Sequence, residues 1–147
     1  MKNKNRLIIS ISSDIGFELA KDWLKKGHKV YGTFRTESEK NNELISLGAT
    51  LNKCDLASKD SITQSIKYFK EINSWDVIVV ASGTQNPIKK FIECDFDEWE
   101  ESFMINLFSP IRFLQGLLKQ QNDSTETKII LFSGGGVNGR RGRGEHP

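Results

Sequence analysis

The sequence predicts an α/β fold in which a doubly wound parallel sheet carries helices on both faces. Three observations lead to this prediction. Apolar runs of strand length alternate with amphipathic helical stretches, the run 75–81 (WDVIVVA) is apolar throughout, and small residues follow the first strand. A continuous apolar run is typical of a strand covered on both faces. Regular alternation of strands and helices favours parallel pairing.

Each element follows from its local pattern. We expect five strands, the last of them buried, at 6–10, 28–34, 49–53, 75–81 and 128–132. We expect four helices at 15–26, 37–47, 59–72 and 96–120. The apolar residues of the last helix form one stripe at helical spacing, made of Trp99, Phe103, Leu107, Ile111, Leu114 and Leu118.

Length and composition indicate one globular domain. The chain has 147 residues, and its 21 basic and 19 acidic residues leave a net charge of only +2, which implies no special partner. We expect residues 1–138 to form the domain. Residues 139–147 (GRRGRGEHP) contain no apolar residue and no periodicity, so we expect a disordered basic tail there.

Cysteine usage and hydropathy predict a cytoplasmic protein. Cys54 and Cys94 are far apart and lack metal-ligand spacing, so both are expected to be reduced thiols. No apolar run is long enough to span a bilayer. The basic start MKNKNRLIISIS has too short an apolar part for a secretory signal.

Acidic and histidine residues give no sign of a metal site. The acids open a strand or lie in a loop and helix start, where carboxylates suit the helix dipole, and they are Asp76, Glu93, Asp95 and Asp97. His28 and His146 have no sequence partner that would make either a catalytic base. We therefore expect no metal.

The turn after the first strand has the composition of a phosphate-binding turn. Ser10, Ser12, Ser13 and Gly16 are small, and a helix begins there. Free N–H groups and the dipole of a helix start attract an anion, and small residues let it approach. Asp14 would repel a pyrophosphate if it pointed inward, but it would cap the helix if it pointed away. On the turn alone, a dinucleotide site and a plain capping turn both remain open.

Motifs at the other strand ends make the chain resemble the short-chain dehydrogenases/reductases over nearly its whole length. The stretch ISISSDIG (9–16) resembles the family's opening loop TGxxxGIG, in which Ile15 and Gly16 match while Ser10 and Asp14 replace glycines. CDL (54–56) resembles the end of the family's third strand, and ASG (81–83) stands where the family has NNAG.

The resemblance implies a Rossmann-like fold and an NAD(P)-dependent oxidoreductase. Such an enzyme transfers hydride between NADPH and a small-molecule carbonyl or alcohol. Asp55 would approach the adenine amino group. The implied cofactor-binding residues are Ser10, Ser12, Ser13, Ile15, Gly16, Arg35, Asp55, Leu56, Ala81 and Gly83.

The end of the second strand favours NADP over NAD. An acid there would bind the ribose hydroxyls of NAD, whereas a basic residue can pair with the extra phosphate of NADP. This strand ends with Phe34 at the expected acid position and Arg35 next. A guanidinium suits a phosphate. The alternative is that Arg35 is a solvated surface charge.

Two residues correspond to catalytic positions of the family. FDEWEESFMINLFSP resembles the helix that carries the family's catalytic asparagine, here Asn106. Pro110 lacks the N–H that would bind the Asn106 carbonyl, so a bend there would free that carbonyl for a water. The alternative is a helix that ends at Ser109. IILFSGGG resembles the strand that ends at the catalytic serine, the second of two small residues, and in that register Ser133 takes the first place and Gly134 the second. If the register moves by one, Ser133 becomes the substrate-orienting hydroxyl, and the alternative is that Ser133 is a turn residue.

The family's Tyr-x-x-x-Lys pair has no counterpart downstream of Ser133. The two tyrosines are Tyr31 and Tyr68, and the last lysine is Lys128. We therefore expect that the C-terminal part of the family fold is missing, as in a truncated or frame-shifted gene, and that the chain does not turn over.

Three further possibilities remain. One is that the chain is a non-catalytic dinucleotide-binding remnant. Another is that the Arg-Gly tail contacts nucleic acid, although three arginines without neighbouring aromatic residues make only a weak binding patch. A homo-oligomer formed through the 96–120 helix is also compatible with the sequence.

Overall fold

The computed structural model describes residues 4–132, which form one five-stranded parallel sheet. The strand order is β3-β2-β1-β4-β5, with β1 paired to both β2 and β4. The strands are β1 (Asn5–Ile9), β2 (Lys29–Phe34), β3 (Thr50–Lys53), β4 (Val77–Val80) and β5 (Lys128–Leu131). The predicted α/β class and its doubly wound sheet are confirmed.

Helices connect the strands, and four of the five begin at a side-chain cap. They are α1 (Asp14–Lys25), α2 (Glu39–Ser46), α3 (Lys59–Tyr68), α4 (Phe96–Phe103) and α5 (Ser109–Lys119). An oxygen of the residue just before α1 to α4 accepts a backbone N–H of the first turn, and these residues are Ser13, Ser38, Ser58 and Asp95. Gly27 and Gly48, just beyond α1 and α2, have φ of 82° and 104°, which suits glycine best.

Alternation along the buried strands divides the core between the two faces of the sheet. Leu7 and Ile9 of β1 pack with Phe113 and Leu117 of α5 on one face. Ile8 packs on the other face with buried residues of α1 and α2, which are Phe17, Ala20, Trp23 and Leu44. Helices therefore cover both faces.

The last strand differs from the prediction. We expected 128–132 to be buried, but β5 is an edge strand whose four residues are all exposed. Leu131 is 65% exposed and Phe132 is 52% exposed. Burial of a strand requires elements that cover its two faces and its free edge, and within residues 4–132 β5 pairs with β4 alone. The apolar residues of β5 therefore lie at a sheet edge that no element within residues 4–132 covers.

The long helix expected at 96–120 is interrupted. Residues Met104–Phe108 form a π-helical turn between α4 and α5, in which the Ser109 N–H donates to the Met104 carbonyl. This turn surrounds Asn106, next to the bend expected at Pro110. Most of the predicted apolar stripe faces outward, because Phe103, Leu107 and Ile111 are exposed while Phe113 and Leu117 are buried.

The order of the strands creates a crevice at one edge of the sheet. The chain runs from β1 to β2 on one side and returns to β4 on the other. Ile9 and Val80 are partners at the carboxyl ends of β1 and β4, and the Ala81 N–H donates to the Ile9 carbonyl. Ligands of open parallel sheets bind at such a switch point.

Candidate functional site

A cavity of about 610 Å³ opens at this switch point. Ser10 after β1 and Arg35 after β2 line one part of it. The rest is lined by residues after β3, by most of the segment 82–89 after β4, and by one side of the α4 region, where the residues are Glu98, Glu101, Ser102 and Ile105. The topology alone brings these separate segments together.

The turn after β1 keeps the geometry of a glycine turn without its first glycine. Ser10 has φ of 66°, in the left-handed region that favours glycine. Its N–H donates to Thr33 Oγ1 at 3.0 Å, which fastens the turn to β2. A Cβ on Gly16 would lie 2.8 Å from the Ser10 carbonyl oxygen. Helix α1 therefore starts in close contact with the turn, and only glycine fits at position 16.

Ser13, and not Asp14, caps α1. The Ser13 hydroxyl accepts the Gly16 N–H at 3.1 Å. Asp14 points away from the turn, where its carboxylate accepts a hydrogen bond from Lys40 Nζ at 2.7 Å. This hydrogen bond and the positive charge of Lys40 lower the pKa of Asp14. The capping role considered for Asp14 therefore belongs to its neighbour, and Asp14 is turned outward.

Two strand ends supply polar groups of opposite charge. Within residues 4–132, Arg35 forms no ion pair, and it lines the cavity. Asp55 lines the cavity after β3, and one of its carboxylate oxygens accepts the Ala57 N–H at 2.9 Å. Leu56 beside it is buried. Arg35 and Asp55 thus bring opposite charges to the same cavity, which Leu56 also lines.

Asn106 binds the segment after β4 rather than the cavity itself. Its Oδ1 accepts the Thr84 N–H at 2.7 Å and its Nδ2 donates to the Thr84 carbonyl at 2.9 Å. Nδ2 also donates to Ser102 Oγ at 3.2 Å. The buried Ser109 hydroxyl donates to the Leu56 carbonyl. The π-helical turn is therefore tied to two strand ends at once.

Neither tyrosine lies in the cavity. Tyr31 packs edge-on against Trp75 with ring centroids 5.2 Å apart, and burial raises its pKa. Tyr68 is exposed at the end of α3. A general acid needs access to the substrate and a pKa near the working pH. Neither Tyr31 nor Tyr68 has that access, and burial moves the pKa of Tyr31 further from neutrality.

Thiols and acids in the described residues form no second reactive centre. Cys54 and Cys94 are free thiols, and burial raises the pKa of Cys54. No three of the His, Cys, Asp and Glu side chains within 4–132 are grouped as metal ligands. No helix in this range is both long and apolar enough to cross a bilayer.

The structure brings together only part of the predicted site. Ser10, Arg35, Asp55, Leu56 and Gly83 line the cavity. The remaining predicted cofactor residues do not line it, and they are Ser12, Ser13, Ile15, Gly16 and Ala81. Ser133 lies outside the described residues.

Several lining residues were not identified from the sequence. Cys54 and Ser82 precede predicted residues directly, so their positions were accessible from the strand ends. Ser102 lies one helical turn before Asn106, a spacing that places both on one side of a helix. No local sequence pattern pointed to Lys89, Glu98 or Glu101. They line the cavity because the fold brings the segment between β4 and α4 to the crevice.

The sequence profile of the short chain dehydrogenases matches residues 4–143. The chain belongs to this family. A 3-oxoacyl-acyl-carrier-protein reductase of Buchnera aphidicola is 25% identical over 138 residues, which are 90% of this chain and 55% of that protein. A benzil reductase of Bacillus subtilis is 23% identical over 143 residues, which are 92% of this chain and 57% of that protein.

Solved structures show the same fold. A short-chain dehydrogenase from Streptomyces avermitilis superposes with a TM-score of 0.78 at 22% identity, covering 88% of this chain and 49% of that one. An actinorhodin polyketide ketoreductase solved with NADPH gives a TM-score of 0.70 at 24% identity, covering 80% and 47%. The chain therefore spans about half the length of these family members.

Proposed function

We propose that the cavity at the switch point binds NADP(H). We also propose that the protein is of the oxidoreductase type that interconverts carbonyls and alcohols. The observation that carries the proposal is Arg35 in the cavity at the end of β2, without an ion-pair partner in residues 4–132. A guanidinium binds phosphate, and Phe34 rather than an acid stands at the last position of β2, where a carboxylate would hold ribose hydroxyls.

The residues present suit the adenosine half of the cofactor. The left-handed Ser10 and the close packing of Gly16 give a turn that a diphosphate can approach. Asp55 and Leu56 would receive the adenine, and Gly83 lines the same cavity after β4. The ketoreductase with NADPH among the related structures supports this cofactor.

Bound NADPH supplies the hydride in this chemistry, and the residues of the chain position it. Asn106 fixes the backbone of Thr84 by two hydrogen bonds, so it holds the wall after β4 in place. The asparagine at this position of the family holds a water, and in this chain the backbone carbonyl of Asn106 would do so. We propose that Ser133, which lies outside the described residues, is the catalytic or substrate-orienting hydroxyl.

For the 147-residue chain we propose cofactor binding without turnover. The chain contains two tyrosines, and Tyr31 and Tyr68 both lie away from the cavity. Proton transfer by a positioned side chain contributes about 10²–10⁴-fold to rate. Incubation with NADPH and a panel of ketones and aldehydes is expected to give no steady cofactor oxidation. Oxidation that disappears in Asn106→Ala would contradict this expectation.

Cofactor choice is tested by titrating the folded chain with NADPH and NADH. Arg35→Gln is expected to weaken NADPH binding about tenfold, as for the loss of a charge-assisted phosphate contact, and to leave NADH binding unchanged. Lys53→Gln is the matched control, since Lys53 is an exposed cation at the end of β3 that does not line the cavity. Equal affinity for both cofactors, unaffected by Arg35→Gln, would refute the preference.

We also propose that a second copy of the chain covers the outward face of the 96–119 region. Phe103, Leu107 and Ile111 are each at least 44% exposed, although one stripe of a helix is normally buried. Sedimentation should detect a dimer that Leu107→Glu disrupts. A wild-type monomer at all concentrations would refute it.

A further inference from the structure

Arg35 is not the only cation beside the turn after β1. Lys40 lies in the first turn of α2, and its ammonium contacts two residues of the turn. Nζ lies 2.7 Å from Asp14 Oδ1 and 3.5 Å from the Ser12 carbonyl oxygen. It also stands 5.4 Å from the centre of the Phe17 ring. Three contacts thus hold the Lys40 side chain against the turn that is proposed to bind phosphate.

The connection between β2 and α2 has a fixed shape. Asn41 is fully buried, and its Nδ2 donates to the Thr36 carbonyl at 2.9 Å. The Ser38 hydroxyl accepts the Asn41 N–H at 3.4 Å. Arg35 and Lys40 stand at the two ends of this short connection, and each approaches the 10–14 turn, Arg35 through the cavity that Ser10 also lines.

Asp14 occupies a position where the family has glycine. Its side chain is 99% exposed, and within residues 4–132 Lys40 is the one side chain that contacts the carboxylate. The pair neutralises a charge that would otherwise repel an incoming phosphate. It also engages the ammonium that such a phosphate would use.

We propose that the Asp14–Lys40 ion pair is an internal competitor of the cofactor's 2′-phosphate, and that Lys40 is a specificity-determining residue. The inference rests on the proposed NADP(H) site and deepens it. On binding, the phosphate replaces the Asp14 carboxylate as the partner of Lys40. An exposed ion pair costs little to separate, and a phosphate carries more negative charge than a carboxylate. Asp14 therefore lowers the affinity for phosphate that Lys40 provides.

The experiment uses two ligands that differ only in the phosphate, 2′,5′-adenosine bisphosphate and adenosine 5′-phosphate, titrated calorimetrically into the full chain. Lys40→Gln is expected to weaken the bisphosphate about two- to fivefold, and Asp14→Asn to strengthen it by a similar factor. Binding of the monophosphate changes in neither. In the double variant, Asp14→Asn no longer strengthens binding.

A second ion pair on α1 supplies matched controls. Lys21 and Glu18 are 3.1 Å apart and make the same charge changes possible outside the turn. Lys21→Gln and Glu18→Gln should leave the preference for the bisphosphate unchanged. If Lys40→Gln behaves like Lys21→Gln, or if Asp14→Asn strengthens binding equally without Lys40, the inference is wrong.

The two proposals fail in different ways. A wild-type chain that binds the bisphosphate no better than the monophosphate refutes the preference for NADP(H), and the role of Lys40 with it. A wild-type chain that prefers the bisphosphate, with no change in Lys40→Gln, refutes only the role of Lys40. Circular dichroism confirms that each variant is folded.

Discussion

At the scale of single residues, Ser10 holds a strained conformation. A residue with a Cβ pays about 1–2 kcal/mol in the left-handed region, whereas glycine does not. Ser10→Gly removes this conformational cost in the folded state. Glycine also raises the conformational entropy of the unfolded chain, which offsets part of the stabilisation. We predict a net stabilisation of about 0.5–1 kcal/mol, measured by urea unfolding.

The matched control for this prediction is Ser12→Gly. Ser12 is a serine of the same turn that does not have a positive φ. Glycine there only loosens the unfolded chain, so the variant should be less stable than wild type. If both variants lose stability equally, Ser10 is not strained.

His28 predicts how stability depends on pH. Burial lowers its pKa below the ordinary 6.5, and the positive charges of Arg6, Lys4 and Lys26 lower it further, opposed only by Asp22. Its Nδ1 accepts the Lys4 N–H at 3.3 Å, which requires the neutral ring. Well above pH 6.5 the imidazole is neutral in both states. As the pH falls through that value the unfolded chain takes up the proton first, so stability falls.

Urea unfolding between about pH 7.5 and pH 5.5 measures this effect. The wild type should lose more stability on acidification than His28→Gln, which carries no titrating ring. Identical slopes in the two proteins would contradict the lowered pKa.

Sequence reasoning at this scale located residues whose position follows from their neighbours in the chain. Small residues at Ser10 and Ser13 identified the turn, and Arg35 followed from the end of β2. The outward turn of Asp14 was not accessible, because its partner Lys40 lies 26 positions away. Long-range ion pairs leave no local pattern.

At the scale of elements, Asn106 joins the helical layer to the sheet. Its amide matches both backbone groups of Thr84, one as acceptor and one as donor. Asn106→Asp keeps the acceptor but places a carboxylate oxygen against the Thr84 carbonyl. Asn106 is exposed, so water replaces part of what is lost, and we predict a loss of about 0.5–1.5 kcal/mol in the free energy of unfolding.

Asn42→Asp is the control for this variant. Asn42 is exposed in α2, so the same change in charge should alter stability by less than about 0.5 kcal/mol. Equal stability of the two variants would show that the contacts with Thr84 contribute nothing.

Strands and helices were predictable where a single hydrophobic pattern runs through the whole element. β4 and α1 lie within two residues of their expected limits. The π-helical turn at Met104–Phe108 was not predicted as such, since it depends on the attachment of Asn106 to Thr84 and of Ser109 to Leu56. The exposure of β5 was predicted wrongly for a similar reason, because apolar composition does not reveal whether a neighbouring strand is present.

At the scale of the whole molecule, the order of the strands determines which segments meet. The sequence predicted parallel strands, and parallel strands place their carboxyl ends at one edge of the sheet. Ser10, Arg35, Asp55 and Gly83 therefore converge although up to 73 positions separate them. The shape of the 84–89 segment was beyond prediction, because it depends on contacts with α4 such as the 2.9 Å pair of Lys89 and Glu98.

The central claim is that NADPH binds at this edge, and hydrogen–deuterium exchange with and without NADPH tests it most directly. Exchange reports protection segment by segment, so it locates the ligand without relying on activity. We expect added protection in the segments 10–16, 35–41, 54–57 and 81–84, with little change in α3. Protection confined to the 139–147 segment, or none at saturating NADPH, would contradict it.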